Sequence, residues 1–346
     1  MSRLFVVQKP WRWVLALMLP VAGLAGVPRA MAQQPQSSEE DLEVLQVRPN
    51  FYMIAGAGGN IAVQIGPIGV NLVNAGSEQM SDKVLVAVRK LSSLPIRYII
   101  DTSADADIVG GNANLSKAGV TILAGAVGQA GVTEDVINNG GIAGVLAHEN
   151  VLARMSAPTG KVPPFSEDKW PSKTYAFKRG YSMYLNGEGI QVLHEPAAHT
   201  DGDSVVFFRR NDVIVTGDIL DTTRFPVIDL EKGGSIQGEI AALNRLLDIT
   251  IPALPLPWQE DRTLLISGHG RICDDSDLVE YRDMVTIIRD NVQDLITNGM
   301  ALEQIEKADP AKPYRARYGS DPSWTTDMFV EAIYKSLTDK NLAAGK

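Results

Sequence analysis

Cysteine is nearly missing from this sequence: Cys273 stands alone, so no disulfide can form within the chain. A lone cysteine with no base-like residue beside it is ordinarily a small buried apolar side chain. Histidine is scarce too. His148, His194, His199 and His269 are the full set, so any histidine-rich metal site draws on a very short list. Basic charge is in deficit, with 32 Lys and Arg against 41 Asp and Glu and a formal net charge of -9. That balance speaks against a phosphate-backbone partner, which needs clustered Lys and Arg. Long apolar runs are missing beyond the N-terminus, so no segment there is long and apolar enough to span a bilayer.

The N-terminus reads as an export signal. Arg3, Lys9 and Arg12 precede the apolar run Val14 to Val27, and Ala30-Met31-Ala32 supplies a small-x-small cleavage pattern. The run is shorter than the roughly 20 residues a membrane span needs. Removal of residues 1–32 takes away basic residues only and leaves a more acidic chain, expected in the periplasm or secreted and with no membrane attachment. Residues 33–49 read as a loose polar tether.

Residues Phe51 to Gly76 alternate apolar residues with glycine-rich turns, as strands joined by tight turns do. Ser81 to Leu91 places Val84, Val88 and Leu91 on one helical face, and Ile96 to Ile100 follows as a short strand. A second strand-rich stretch comprises Gly189 to Leu193, Ser204 to Phe208 and Val213 to Val215. A helix over Ile236 to Leu247 and a strand over Thr263 to Ser267 come next. Two such halves imply sheets packed inside helical outer layers. Between them, residues 126–179 read as an insert covering one side of a site. Within it, Glu134 to Arg154 reads as a helix interrupted at Gly140-Gly141, with His148 a structural residue on its surface. Helices are expected over Asp277 to Met300 and Thr326 to Leu337.

Four short segments carry the chemistry. In the first, the strand ending at Ile100 runs into Asp101-Thr102-Ser103-Ala104-Asp105-Ala106-Asp107-Ile108. If strand alternation continues, Ser103, Asp105 and Asp107 point the same way. The second is His199-Thr200-Asp201-Gly202-Asp203-Ser204. The third, Thr216-Gly217-Asp218, ends an apolar strand with an acid, and the fourth, Ser267-Gly268-His269-Gly270, ends one with a histidine. Singly these are ordinary turn and cap residues. Together they place oxygen and nitrogen donors at the ends of buried strands, a rigid setting for a metal.

In order and spacing these segments resemble the metallo-β-lactamase superfamily, which includes glyoxalase II-like and quinoprotein-associated metallohydrolases. The resemblance runs roughly from Asn50 to Met300 and adds Gly58-Gly59-Asn60, similar to the family's first hairpin turn. It implies an α/β fold, an αββα sandwich with a metal site along one edge. It divides the chain into a domain over 50–300 and a helical extension over 301–346. The family segment usually written THxHxDHxGGN is altered here: Ser103 and Asp105 replace its first two histidines, Asp107 is kept, and Ile108 replaces the third. By this resemblance one metal would see Asp105, His199 and Asp218, with Ser103 as a weak donor. The other would see Asp107, Asp218 and His269. The expected cofactor is a divalent metal, zinc first and manganese or iron as alternatives for so oxygen-rich a set, as one or two ions. The expected activity is hydrolysis of an ester, thioester, lactone or amide in a small-molecule substrate, with Asp107 as base to a metal-activated water. The competing expectation is a weak or inactive relative that binds a ligand or partner. β-Lactam hydrolysis fits poorly with the depleted ligand set. Arg224, Lys232, Trp170 and Trp258 are candidates for the pocket wall, against ordinary surface charge or core packing for each.

Overall fold

The fold follows from a computed structural model, which describes residues 42–121, 141–158, 163–176, 180–252 and 262–339. The export signal, most of the tether and Trp258 lie outside these residues, as do residues 126–140, 159–162 and 177–179 of the expected insert.

Thirteen strands form two sheets among the described residues. The first contains, in spatial and chain order alike, β1 (Glu43–Arg48), β2 (Phe51–Ala55), β3 (Ile61–Gly66), β4 (Gly69–Val73), β5 (Ile96–Ile100), β6 (Gly144–His148) and β7 (Lys173–Tyr175). Its first four strands are antiparallel, and from β4 onward neighbours run parallel. The second contains β8 (Tyr181–Leu185), β9 (Glu188–Glu195), β10 (Asp203–Phe208), β11 (Val213–Asp221), β12 (Leu264–His269) and β13 (Ile272–Cys273), with β11 and β12 parallel.

Burial explains the layering. Phe51, Met53, Val73, Ile100 and Leu146 of the first sheet share one apolar cluster with Val192, Val206, Phe208, Val215 and Ile266 of the second. The sheets therefore face each other across a common core. The outer face of the first sheet is covered by helix Ser81–Leu91, whose Val84, Ala87 and Val88 turn inward, and by helix Asn112–Lys117. The outer face of the second is covered by helices Ile236–Ile249, Asp275–Thr297 and Thr326–Thr338. Ile305, Tyr318, Phe329 and Ile333 of the C-terminal helices join that core. Among the described residues no helix is long and apolar enough to cross a membrane.

Several expectations change. β1 lies within the segment read as a tether, and its pairing with β2 makes it the edge of the first sheet. Residues 144–148, read as helical, are a buried strand parallel to β5, and His148 ends it rather than riding on a helix surface. Helix Glu149–Ser156 begins only there, with His148 Nδ1 accepting from the Asn150 amide. β11 runs past Asp218 to Asp221. Gly217, at φ +57°, bends it, and a Cβ there would come within 2.6 Å of Thr102 Oγ1. Cys273 is buried, and burial pushes its thiol up to about 12, well away from a reactive thiolate.

Candidate metal centre

The segment after β5 does not continue as a strand. A helical turn, Ala106–Val109, starts behind Asp105, so alternation stops there and does not converge Ser103, Asp105 and Asp107. They take three separate partners instead. Ser103 Oγ donates to Asp218 Oδ2 at 3.2 Å. Asp105 meets His199, with Oδ2 to Nε2 at 2.6 Å. Asp107 Oδ2 lies 3.1 Å from His269 Nε2. Ser103 thus orients the Asp218 carboxylate. Asp105 occupies a helix N-cap position, yet its side chain makes no capping bond. The ordinary cap role of such a residue is therefore set aside in favour of the cleft.

Three loops hold the facing side. Asp203 accepts from Thr200 N at 2.7 Å and Thr200 Oγ1 at 2.6 Å, closing the turn that presents His199. Asn60 Nδ2 donates to the carbonyls of Ser267 and Gly270, pinning the first hairpin to the strand end that bears His269. Gly268 permits this closeness, since a Cβ there would sit 2.8 Å from Asp218 Oδ1. Asp105, Asp107, His199, Asp218, Arg224 and Trp324 line one cavity of about 180 Å³.

One proton can be placed on His199. Its Nδ1 lies 2.7 Å from the Val227 carbonyl, which can only accept, and its Nε2 faces the Asp105 carboxylate. Nδ1 therefore donates to the carbonyl, which leaves Nε2 facing the carboxylate. Burial disfavours a charged ring, but Asp105 outweighs it and raises the pKa well above the ordinary value. Burial likewise works against the Asp105 carboxylate, and His199 together with Lys232 overrides it and holds the group low. Asp218 is held below the usual carboxylate range in the same way, with His269 and His199 overcoming burial. For His269, burial is outweighed by Asp107 and Asp218, which push it up to about 10.

The donors fit a divalent ion. Asp105, His199 and Asp218 offer ligand atoms within 4.8 Å of one another. On the other side, His269 Nε2 is buried with no aligned hydrogen bond among the described residues. It stands 3.1 Å from Asp107 Oδ2 and 3.4 Å from Asp218 Oδ1. Ligand atoms on one tetrahedral zinc lie roughly 3.4 Å apart, so this spacing suits a shared ion. Ile108, where the family pattern has a third histidine, is fully buried among Ala104, Val109, Ala147, Val151 and Met155.

Lys232 and Arg224, candidates for the pocket wall, take definite places, and Trp324, which the sequence did not single out, joins them. Lys232 Nζ bonds Asp105 Oδ1 and Asp229 Oδ2, each at 3.0 Å. Arg224 reaches the cavity wall while paired with Asp221 at 2.8 Å and Asp321 at 3.1 Å. Trp324, from the C-terminal extension, lines the cavity beside it, whereas Trp170 packs against the Ile108 cluster. Only spatial closeness across more than a hundred residues reveals the Lys232 contact.

Two facing sheets between helical layers, with all of the resembling segments gathered at one edge, decide the architecture. The chain has the metallo-β-lactamase fold. No family model matches it. It is 22% identical over 274 residues to a linear primary-alkylsulfatase of Pseudomonas sp., an alignment covering 73% of this chain and 50% of that one. The chain thus spans about half the length of that curated relative. Among solved structures, the stereoselective inverting sec-alkylsulfatase Pisa1 from Pseudomonas sp. superposes with a TM-score of 0.59. The match is 13% identical and covers 86% of this chain and 50% of that one. The DIM-1 metallo-β-lactamase matches with a TM-score of 0.49 at 15% identity, over 71% of this chain and 97% of that one.

Proposed function

We propose that this chain is an exported metal-dependent hydrolase that cleaves an ester-type bond of a small molecule. The observation that supports this reading is the meeting of two imidazole–carboxylate sets at Asp218, which lines a cavity that also presents Arg224. Asp105, His199 and Asp218 would hold metal on one side, and Asp107, Asp218 and His269 on the other. A bound divalent ion supplies an acidified water and polarises the scissile oxygen. Asp107, at the cavity mouth, accepts the water's proton. Ser103 keeps Asp218 turned toward the cleft. Arg224, fixed by Asp221 and Asp321, offers positive charge to an anionic group. Candidate bonds are carboxylic esters, thioesters, lactones and amides. The names of the relatives add alkyl sulfate esters. Periplasmic or secreted location rests on the N-terminal pattern.

The test is a hydrolysis panel over these bonds, run before chelation, after chelation and after restoring Zn²⁺, Mn²⁺ or Fe²⁺. Metal-dependent turnover is expected, and it should fall about 100-fold in Asp107→Asn. Turnover that survives chelation, or a full panel without turnover, contradicts the reading. The second reading, a binding protein without catalysis, is favoured by Ile108, which seals a ligand position with apolar side chains.

A further inference from the structure

We propose that the Lys232 ammonium closes the Asp105 side of the centre as a built-in cation, so that the chain takes a single metal ion, between Asp107, Asp218 and His269. This rests on the metal-dependent reading above and narrows it. By distance alone Asp105, His199 and Asp218 form the tighter donor set. Availability reverses the order. Both carboxylate oxygens of Asp105 are engaged, Oδ1 by Lys232 and Oδ2 by His199. His199 Nε2 is taken up by that same carboxylate. The His199–Asp105 contact of 2.6 Å is a charged hydrogen bond, well under the roughly 3.4 Å that separates two ligands of one tetrahedral ion. An ion entering there must part Asp105 from His199 and sit against an ammonium of like charge. Across the cleft, His269 Nε2 stands at ligand spacing from Asp107 and Asp218, with no aligned hydrogen bond among the described residues and no ammonium beside it there.

Lys232 is also held in place, which separates it from a surface lysine. It ends a helical turn, Leu230–Lys232, capped by Asp229 and followed by Gly233 at φ +83°. Its carbonyl accepts from the Asp201 amide at 2.9 Å and from Arg154 at 2.6 Å. The Asp229 amide donates to the His199 carbonyl at 2.9 Å, so the turn carrying the ammonium is tied to the histidine it neighbours. Asp229 then shares Nζ with Asp105.

The experiment is a Zn²⁺ titration of the full chain by calorimetry, with stoichiometry checked by native mass spectrometry. Wild type, Lys232→Met, Lys232→Arg, His199→Ala and His269→Ala are compared. One ion is expected in wild type and in Lys232→Arg, which keeps the cation. Two are expected in Lys232→Met, where Asp105 is released. The backbone of Lys232 carries the turn's hydrogen bonds, so the side-chain change should leave the fold intact. Should that variant fail to fold, the histidine pair decides alone: His199→Ala keeps its ion and His269→Ala loses it. Two ions in wild type, one in a folded Lys232→Met, or an ion retained by His269→Ala overturns the Lys232 assignment and leaves the hydrolase reading standing. No ion in any of the proteins overturns both.

Discussion

On the Asp105 side of the cleft and on the His269 side, one imidazole faces carboxylates at the end of a strand. The Asp105 side is finished: imidazole, carboxylate and ammonium satisfy one another through direct hydrogen bonds. The His269 side is open, with a buried ring nitrogen that has carboxylates near it and no aligned bond. The same residue types thus make an ion-pair triad in one place and an imidazole at ligand spacing from two carboxylates in the other. What separates them is a third cation, and that cation arrives from a turn distant in sequence. Asp218 touches both sides, through Ser103 and His199 on one and His269 on the other.

Removing the shared residue should have the largest effect. Asp218→Ala is expected to weaken Zn²⁺ binding by at least about 100-fold, since even outer-shell partners of metal ligands are worth 10–100-fold. Metal-dependent turnover should disappear with it. Unchanged affinity in a Zn²⁺ titration would erase the distinction between the two sides.

A second change probes what lies behind His199. Glu239 is fully buried on helix Ile236–Ile249, and neither carboxyl oxygen has a partner among the described residues. Burial, with the nearby Asp203 charge, raises its pKa well above the ordinary value. The folded chain therefore keeps a proton that the unfolded chain has lost. Stability is full below about pH 4.5 and declines as pH rises, at up to about 1.4 kcal/mol per pH unit. Glu239→Gln should raise the melting temperature near pH 8 and leave it nearly unchanged near pH 4.5. Asp101 and Asp203, pushed up by burial to about 8 and about 7, keep part of the slope. An equal gain at both pH values would show that the proton is not the cause.

Sharpening the open side is a smaller effect. Ile108→His restores the family's ligand type beside Asp107 and should tighten Zn²⁺ about tenfold, roughly 1.4 kcal/mol. The site is apolar and fully buried, so the metal-free variant should lose about 2 kcal/mol of stability, recovered in part by added Zn²⁺. Calorimetry paired with thermal melts checks both. A variant that is destabilised and gains no affinity would mean that position 108 faces only the apolar cluster.

The smallest effect sits between the sheets and away from the metal donors. The rings of His148 and His194 stack at 3.6 Å, and His148 caps a helix as an acceptor, which requires a neutral Nδ1. Burial, then the neighbouring His194, lowers His148 to about 4. The unfolded chain takes up this proton near pH 6.5 and the folded chain only near pH 4. Stability is therefore full above about pH 6.5 and declines as pH falls through that window. His148→Asn, which keeps an acceptor at the cap, should flatten that decline. Identical acid melts for variant and wild type would contradict the assignment.

Much of the architecture was legible in the sequence because the signals were local. Helix Ser81–Leu91 and strand Ile96–Ile100 show periodicities bounded by polar turns. The segment 144–148 was misread because a short, fully buried parallel strand lacks alternation and looks like part of a helix. The site was legible as a set of segments, and the structure brings Asp105, Asp107, His199 and Asp218 to one cavity, with His269 against it. Ser103, Asp105 and Asp107 do not converge by strand alternation, because the backbone turns helical at Ala106. Arg224 and Lys232 were legible as pocket-wall candidates, but their ion pairs and the place of Trp324 depend on loops closing over the sheet edge, and no local pattern marks such closure.

The central claim is an asymmetric centre, and an anomalous-difference map at the zinc edge from Zn²⁺-loaded crystals tests it most directly. The account predicts one peak, bounded by Asp107, Asp218 and His269, with Lys232 still bonded to Asp105. A peak between Asp105 and His199, two peaks of equal height, or a flat map would contradict it.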